Sequence, residues 1–357
     1  MKRFGIFLGL LAIIVSSCQR SYVDLDASSM TLALDSCDQL VATIKPSGEN
    51  SKNNDFFVWE SSDTSILTVD NQGVVCGKKV GNADVIVYAD ETSDTCHVSV
   101  KIRVDSVQLN VRSVRVKDGS KARLKARVFP SNATDSIVDW QSSDTSVAVV
   151  NDGLVVSRGP GIATVTASID GQNVICAVNV ITPEEWATEM SNLARRRGGN
   201  VDGAVRFTLQ WNDKGDWNMD DLDAHCIEPN RSEICFHNMK SRSKGMLDVD
   251  NRRPDQGVKA VENISWSSTD KMKPGVYKFN VERYAARDGK SGFRAEIEFE
   301  GQLYKYDYRG GWTRKKNTRV PFWGRYVNQT FPYVPVCELH VEEDGTMYIE
   351  HKIDPVE

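Results

Sequence analysis

The chain has 357 residues, 44 Lys and Arg against 49 Asp and Glu, and a net charge of −5. That balance leaves no basic footprint for general nucleic-acid binding, and the length exceeds one small core, so two or three domains are expected. The eight cysteines form no Cys-x-x-Cys, which leaves zinc-finger and thioredoxin-like readings without support.

The chain opens with Lys2 and Arg3, an apolar run from Phe4 to Val15, and Ser16-Ser17-Cys18. This is the pattern of a secretory signal, and the run is shorter than the roughly 20 residues that span a bilayer. It resembles a bacterial lipoprotein signal. The resemblance implies a signal peptide of residues 1–17, a lipid on Cys18, a tether over 18–29 and attachment to a membrane through that lipid. Gln19, where an Asp would mark inner-membrane retention, implies the outer membrane, with the periplasmic side and the cell surface both open. A plain signal peptide cut elsewhere is the alternative. With Cys18 reserved, seven cysteines remain in a compartment that permits disulfides. Seven is odd, so at least one thiol stays free or pairs between chains.

An internal repeat follows. Residues 58–69 read Val-Trp-Glu-Ser-Ser-Asp-Thr-Ser-Ile-Leu-Thr-Val, and 139–150 read Asp-Trp-Gln-Ser-Ser-Asp-Thr-Ser-Val-Ala-Val-Val. Trp59 and Trp140, Gly73 and Gly153, Gly81 and Gly161, and Cys96 and Cys176 are each 80 or 81 positions apart. Four anchors in one register mean two copies of one module. Short Val-, Ile- and Thr-rich alternating runs between turn signals predict a β-sandwich for each. The Trp-x-Ser-Ser-Asp-Thr-Ser segment is followed by Gly-Val-Val or Gly-Leu-Val, then by Val-Gly-Asn-Ala or Pro-Gly-Ile-Ala-Thr-Val. These residues resemble the bacterial Ig-like domain, group 2, similar to invasin and intimin repeats, over 30–104 and 105–181. The resemblance implies stalk or adhesive modules. Trp59 and Trp140 suit the sandwich core, and the Ser-Asp-Thr-Ser turns let short polar side chains bond their own backbone.

A linker helix is expected over 182–199. Thr182 can cap it, Pro183 suits the first position, and Glu184 and Glu185 favour the N-terminal dipole. Trp186, Met190 and Leu193 share one face, and Gly198-Gly199 end the helix.

Period-2 patterning then returns over 200–357. Strands are predicted at 205–211, 221–228, 233–238, 246–250, 275–281, 293–299 and 346–352, giving a larger C-terminal β-sandwich. In an extended strand Asp221, Asp223 and His225 share a face, and like charges stacked on one face want a partner. Asp248 and Asp250 repeat the pattern, and Glu262 adds a fifth carboxylate. If these strands are neighbours, hard oxygen donors converge as calcium requires. The alternative is a solvated face on which the acids pair with Arg242, Arg252, Arg253 and Lys259.

Trp211, Asp221-Leu-Asp-Ala-His225-Cys226, Pro229-Asn-Arg231, Leu247-Asp-Val-Asp250, Glu262-Asn-Ile264 and Pro274-Gly-Val-Tyr277 resemble an uncharacterised bacterial domain family. Its hallmark is Trp, then Asp-Leu-Asp-Leu-His-Val, then Pro-Asn-Gly; Ala224, Cys226 and Arg231 depart from it. A fainter likeness is to the calcium-binding sandwiches of tellurite resistance. Neither resemblance implies an enzymatic activity.

Cys226 and Cys235 flank the predicted hairpin symmetrically, so a disulfide between them is expected. No pairing is indicated for Cys37, Cys76, Cys96, Cys176 or Cys337. Residues 304–336 carry seven basic residues against one acid, Asp307, interleaved with aromatics. Trp312, Arg314, Lys315, Lys316, Trp323 and Arg325 are candidate contacts for a glycan or an anionic envelope surface. The alternative is an ordered loop whose aromatics complete the core.

The expectation is an all-β chain: two tandem Ig-like β-sandwiches, a short linker helix and a larger C-terminal sandwich. It is a non-enzymatic, outer-membrane surface lipoprotein whose partners are the membrane and a glycan or envelope protein, with calcium as the candidate ion. A carbohydrate-active hydrolase with accessory Ig-like modules is the alternative. Gly-x-Ser-x-Gly and His-Glu-x-x-His are both absent from the sequence.

Overall fold

In a computed structural model the described residues are 22–45, 57–189, 192–211, 220–251, 259–286, 292–322 and 325–356. Cys18 and Trp323 lie outside them, as does Met190. The chain is all-β, with two short helices at Pro183–Glu189 and Asn192–Arg196. It falls into two compact units, residues 1–103 with 132–135, and 104–131 with 136–357.

The first unit holds one Ig-like module. Strands Ser29–Ala33, Thr92–Lys101, Gly81–Ala89 and Val58–Ser61 form one sheet, and Cys37–Gln39, Val74–Gly77 and Leu67–Val69 form another. Leu32, Leu67, Val75, Val85, Val87 and Val98 fill the space between them. Trp59 is half-buried and packs against this core. A Cβ on Gly73, whose φ is +81°, would meet the Leu40 carbonyl at 2.4 Å and the Trp59 ring at 2.9 Å. The position therefore demands glycine. Cys37 and Cys76 stand opposite each other in the ladder and are joined by a disulfide.

The same logic builds the second module. Trp140 closes over Gly153 as Trp59 does over Gly73. The turn expectation holds in both copies: Asp63 accepts the Ser65 N–H at 2.8 Å, and Asp144 accepts the Ser146 N–H at 2.9 Å.

The second module does not end at a free sheet edge. Its strand Ser113–Lys117 pairs antiparallel with Gln302–Tyr308 of the C-terminal domain, Arg115 opposite Leu303 and Val116 opposite Gln302. The result is one nine-stranded sheet running from Asp139–Ser142 through the module and on to Met246–Val249. Edge strands left with unpaired N–H and C=O groups are a liability, and this pairing removes one. Asn110 Nδ2 donates to the Ile349 carbonyl at 3.0 Å across the same junction.

The helix Pro183–Glu189 begins with a capping box. Thr182 Oγ1 accepts the Glu185 N–H at 3.2 Å, and Glu185 Oε2 accepts the Thr182 N–H at 3.1 Å. Trp186 is buried beside Ile181 and Leu303.

The C-terminal sandwich has two layers. One is the distal part of the long sheet: Gln302–Tyr308, Phe293–Phe299, Val205–Trp211, Ala260–Trp266 and Met246–Val249. The other runs Glu233–Ile234, Asp221–Ile227, Gly275–Ala285, Arg325–Val341 and Arg314–Phe322, with Met347–His351 on the far side of Arg325–Val341. Phe207 and Phe279 stack across the interior with centroids 5.0 Å apart, and Trp266 meets Phe279 edge-on. Such pairs add to the area term of aromatic burial.

The basic aromatic segment is not a loop. It supplies three strands, and Tyr304 and Tyr306 are buried core residues. The Cys226–Cys235 expectation is corrected. Both thiols are free, because the ladder sets Cys226 opposite Ile234. A one-residue slip sends the neighbouring side chain to the other face, and Cys235 Sγ there meets His237 Nδ1 at 3.2 Å.

Candidate metal centre

Three elements bring carboxylates together at the margin between the two layers. Asp223 comes from strand Asp221–Ile227, Glu262 from strand Ala260–Trp266, and Asp250 from the residue just past strand Met246–Val249. One oxygen from each lies within 4.8 Å of the others. Glu262 shares a strand face with Ala260, Ile264 and Trp266, so it projects from the core-facing side, and it is 0% exposed. Its Oε2 accepts the backbone N–H of Ala224 at 2.6 Å, and its Oε1 has no hydrogen-bond partner. Burial pushes the Glu262 carboxyl well above the usual carboxylate range, and the charges of Asp223 and Asp250 push it further. Close carboxylates raise the cost of ionising one another, the direction that a shared proton or a bound cation relieves. The donors are all hard oxygens, the set that calcium takes.

The structure brings together three of the five expected ligands. Asp248 is committed elsewhere. Its oxygens accept from Asn263 Nδ2 at 2.8 Å, Ser265 Oγ at 2.6 Å and the Asn200 N–H at 3.0 Å, which fastens the end of the second helix to the sheet. A register shift between Leu247 and Val249 separates its surroundings from those of Asp250. Asp221 also falls outside the group; the register shifts beside it, with Asp221 opposite Ala285 and Leu222 opposite Arg283, so that Tyr284 is the extra residue on the paired strand. Of the five acids, Asp221, Asp223 and Glu262 are buried, and Asp248 and Asp250 are half-buried. Arg252 and Arg253 lie outside the described residues. A glycosidase needs two acids flanking an accessible bond, and buried acids offer no such cleft.

One residue the sequence reading missed is Glu282. It stands directly opposite Asp223 on the paired strand and is 1% exposed. Thr318 Oγ1 donates to its Oε2 at 2.6 Å. His225, two residues along from Asp223 on the same face, is also 1% exposed. Its Nδ1 lies 2.8 Å from Glu233 Oε1, which also pairs with Lys316. Burial works against ionisation of Glu233, yet His225 and Lys316 hold it down to about 2.

The remaining candidates are dispersed. Trp312 is half-buried against Phe293 and Tyr308, with the Arg283 guanidinium 5.2 Å above its ring. Lys316 is taken by Glu233. Arg314 and Lys315 are exposed and point to opposite faces of their strand. The side chain of Arg325 lies outside the described residues.

Comparison with known proteins bears on the first half of the chain. Residues 21–100 and 103–177 match the family model of the bacterial Ig-like domain (group 2). An uncharacterized protein of Clostridium acetobutylicum is 30% identical over 163 residues, 44% of this chain and 16% of that protein. Among solved structures, domains 4 and 5 of the S-layer protein SbsC share 21% identity, with a TM-score of 0.21, over 46% of this chain and 98% of theirs. A three-domain segment of titin shares 9% identity, with a TM-score of 0.24, over 81% of this chain and 98% of its own. The repeat in the first half of this all-β chain is a tandem pair of bacterial Ig-like domains of group 2.

Proposed function

We propose that the protein is a lipid-anchored envelope protein whose Ig-like modules hold out a C-terminal sandwich ordered by calcium. The observation that carries this reading is the convergence of buried Asp223 and Glu262 with half-buried Asp250. Converging carboxylates are the hard oxygen donors that calcium takes, and a surface protein bathed in calcium would find one outside the cell. The ion would tie strand Asp221–Ile227 to the opposite layer. The sandwich would then present a fixed surface for adhesion or glycan recognition, and the anchor on Cys18 would hold it at the outer membrane. The pairing of Ser113–Lys117 with Gln302–Tyr308 supports this reading, because it makes the second module a rigid support for the binding domain.

Two experiments test this reading. Metabolic labelling with a radiolabelled fatty acid should mark the wild-type protein and not Cys18→Ser. Antibody against the C-terminal domain should bind intact cells. Unlabelled wild-type protein in the soluble periplasmic fraction contradicts the anchored reading.

A further inference from the structure

We propose that Asp223, His225 and Glu282 form a second cation site, sharing Asp223 with the calcium group, that takes a borderline transition cation such as zinc. One ligand atom from each lies within 4.8 Å of the others, and their exposures are 5%, 1% and 1%. The evidence for a ligand lies in the histidine. Its Nδ1 lies 2.8 Å from Glu233 Oε1, which leaves Nε2 as the ring nitrogen turned to the cluster. That atom is buried without a hydrogen-bond partner and lies 3.9 Å from Glu282 Oε2. Glu282 Oε1 is likewise buried without a partner. A gap of 3.9 Å is too long for a hydrogen bond and is of the size spanned by an ion with bonds of about 2.0–2.2 Å to nitrogen and oxygen.

The surroundings fit the same assignment. A ligating imidazole commonly donates its second N–H to a carboxylate, which fixes the tautomer and the ring orientation. Glu233 does this here, and Lys316 holds Glu233 in place. Thr318 orients Glu282 from the strand beyond. One imidazole with carboxylates favours zinc or its neighbours over calcium. The site is closed, so the ion would join strands Asp221–Ile227 and Gly275–Ala285 and would not carry out chemistry.

The test is zinc titration of the chelator-stripped full chain by calorimetry. Wild type should bind zinc, and His225→Gln or Glu282→Gln should weaken binding by roughly tenfold or more. Asp250→Asn with Glu262→Gln should abolish any calcium response and leave zinc bound, so the two sites fail separately. Unchanged zinc affinity in His225→Gln overturns the assignment, as does binding that is lost only in Cys235→Ser. Imidazole NMR of the wild type settles the matter even where a variant does not fold. The His225 Nε2 signal should move on zinc addition; a ring protonated at both nitrogens and indifferent to zinc overturns the proposal.

Discussion

Asp223 and Glu282 stand directly opposite each other on paired antiparallel strands, both carboxyls buried. Like charges in that position destabilise a ladder. In chelator, Asp223→Asn should therefore be as stable as wild type or more so. The same substitution should remove the stabilisation that divalent cations give. Urea unfolding with and without cation measures both; loss of stability in chelator together with an intact cation response contradicts the reading.

Glu262 has two separable roles. Glu262→Gln keeps an oxygen for the Ala224 N–H, which the native carboxylate accepts at 2.6 Å, whereas Glu262→Ala leaves that donor buried and unpaired. An unsatisfied buried donor costs about 1–3 kcal/mol. In chelator Glu262→Ala should be less stable than Glu262→Gln by about that amount. Equal stabilities would show that the Ala224 contact contributes nothing.

The parts of the fold readable from sequence were those set by near neighbours in the chain. The Asp63 and Asp144 turns each bond a residue two positions on, and the Thr182–Glu185 capping box spans one helical turn. Glycines 73 and 153 are dictated by the tryptophans that close over them. What stayed hidden was long-range. Glu282 is 59 positions from Asp223 (282 − 223), and nothing in its own strand marks it as the partner. The register shift at Tyr284, opposite Asp221, and the pairing of Cys226 with Ile234 depend on the partner strand and gave neighbours that alternation alone does not reveal. The junction of Ser113–Lys117 with Gln302–Tyr308 joins residues nearly two hundred positions apart and leaves no local trace.

The cysteines give a chemical check. A non-reducing peptide map should show the Cys37–Cys76 link and no Cys226–Cys235 link. Burial pushes the Cys176, Cys235 and Cys337 thiols up to about 12 and Cys226 well above its ordinary value. Alkylation of the folded protein should therefore label these four slowly, and quickly only in denaturant. With its partners 39 positions apart, the Cys37–Cys76 link should contribute about 3–4 kcal/mol to the first module. Cys37→Ser with Cys76→Ser should lower that module's urea midpoint accordingly.

His351 sets a pH dependence away from the metal centre. Burial holds its pKa down to about 4 from an ordinary 6.5, although Asp354 pulls the other way, and its Nδ1 lies 2.9 Å from the Tyr306 hydroxyl. Below pH 6.5 the unfolded chain takes up a proton that the folded chain refuses. Stability from this group is complete above pH 6.5 and falls as the pH drops towards 4, by on the order of 2 kcal/mol after allowance for solvent. His351→Phe should flatten that part of the curve. An unchanged slope between pH 4 and 6.5 would mean that other groups set it.

The central claim is that calcium completes the group of Asp223, Asp250 and Glu262. Thermal unfolding of the full chain, first in chelator and then in millimolar calcium, tests it most directly. At 100 times its dissociation constant a ligand stabilises by about 2.7 kcal/mol, a shift of several degrees. The account predicts that shift in wild type and its loss in Asp250→Asn with Glu262→Gln. Melting temperatures identical with and without calcium, or a shift that survives in the double variant, would contradict it.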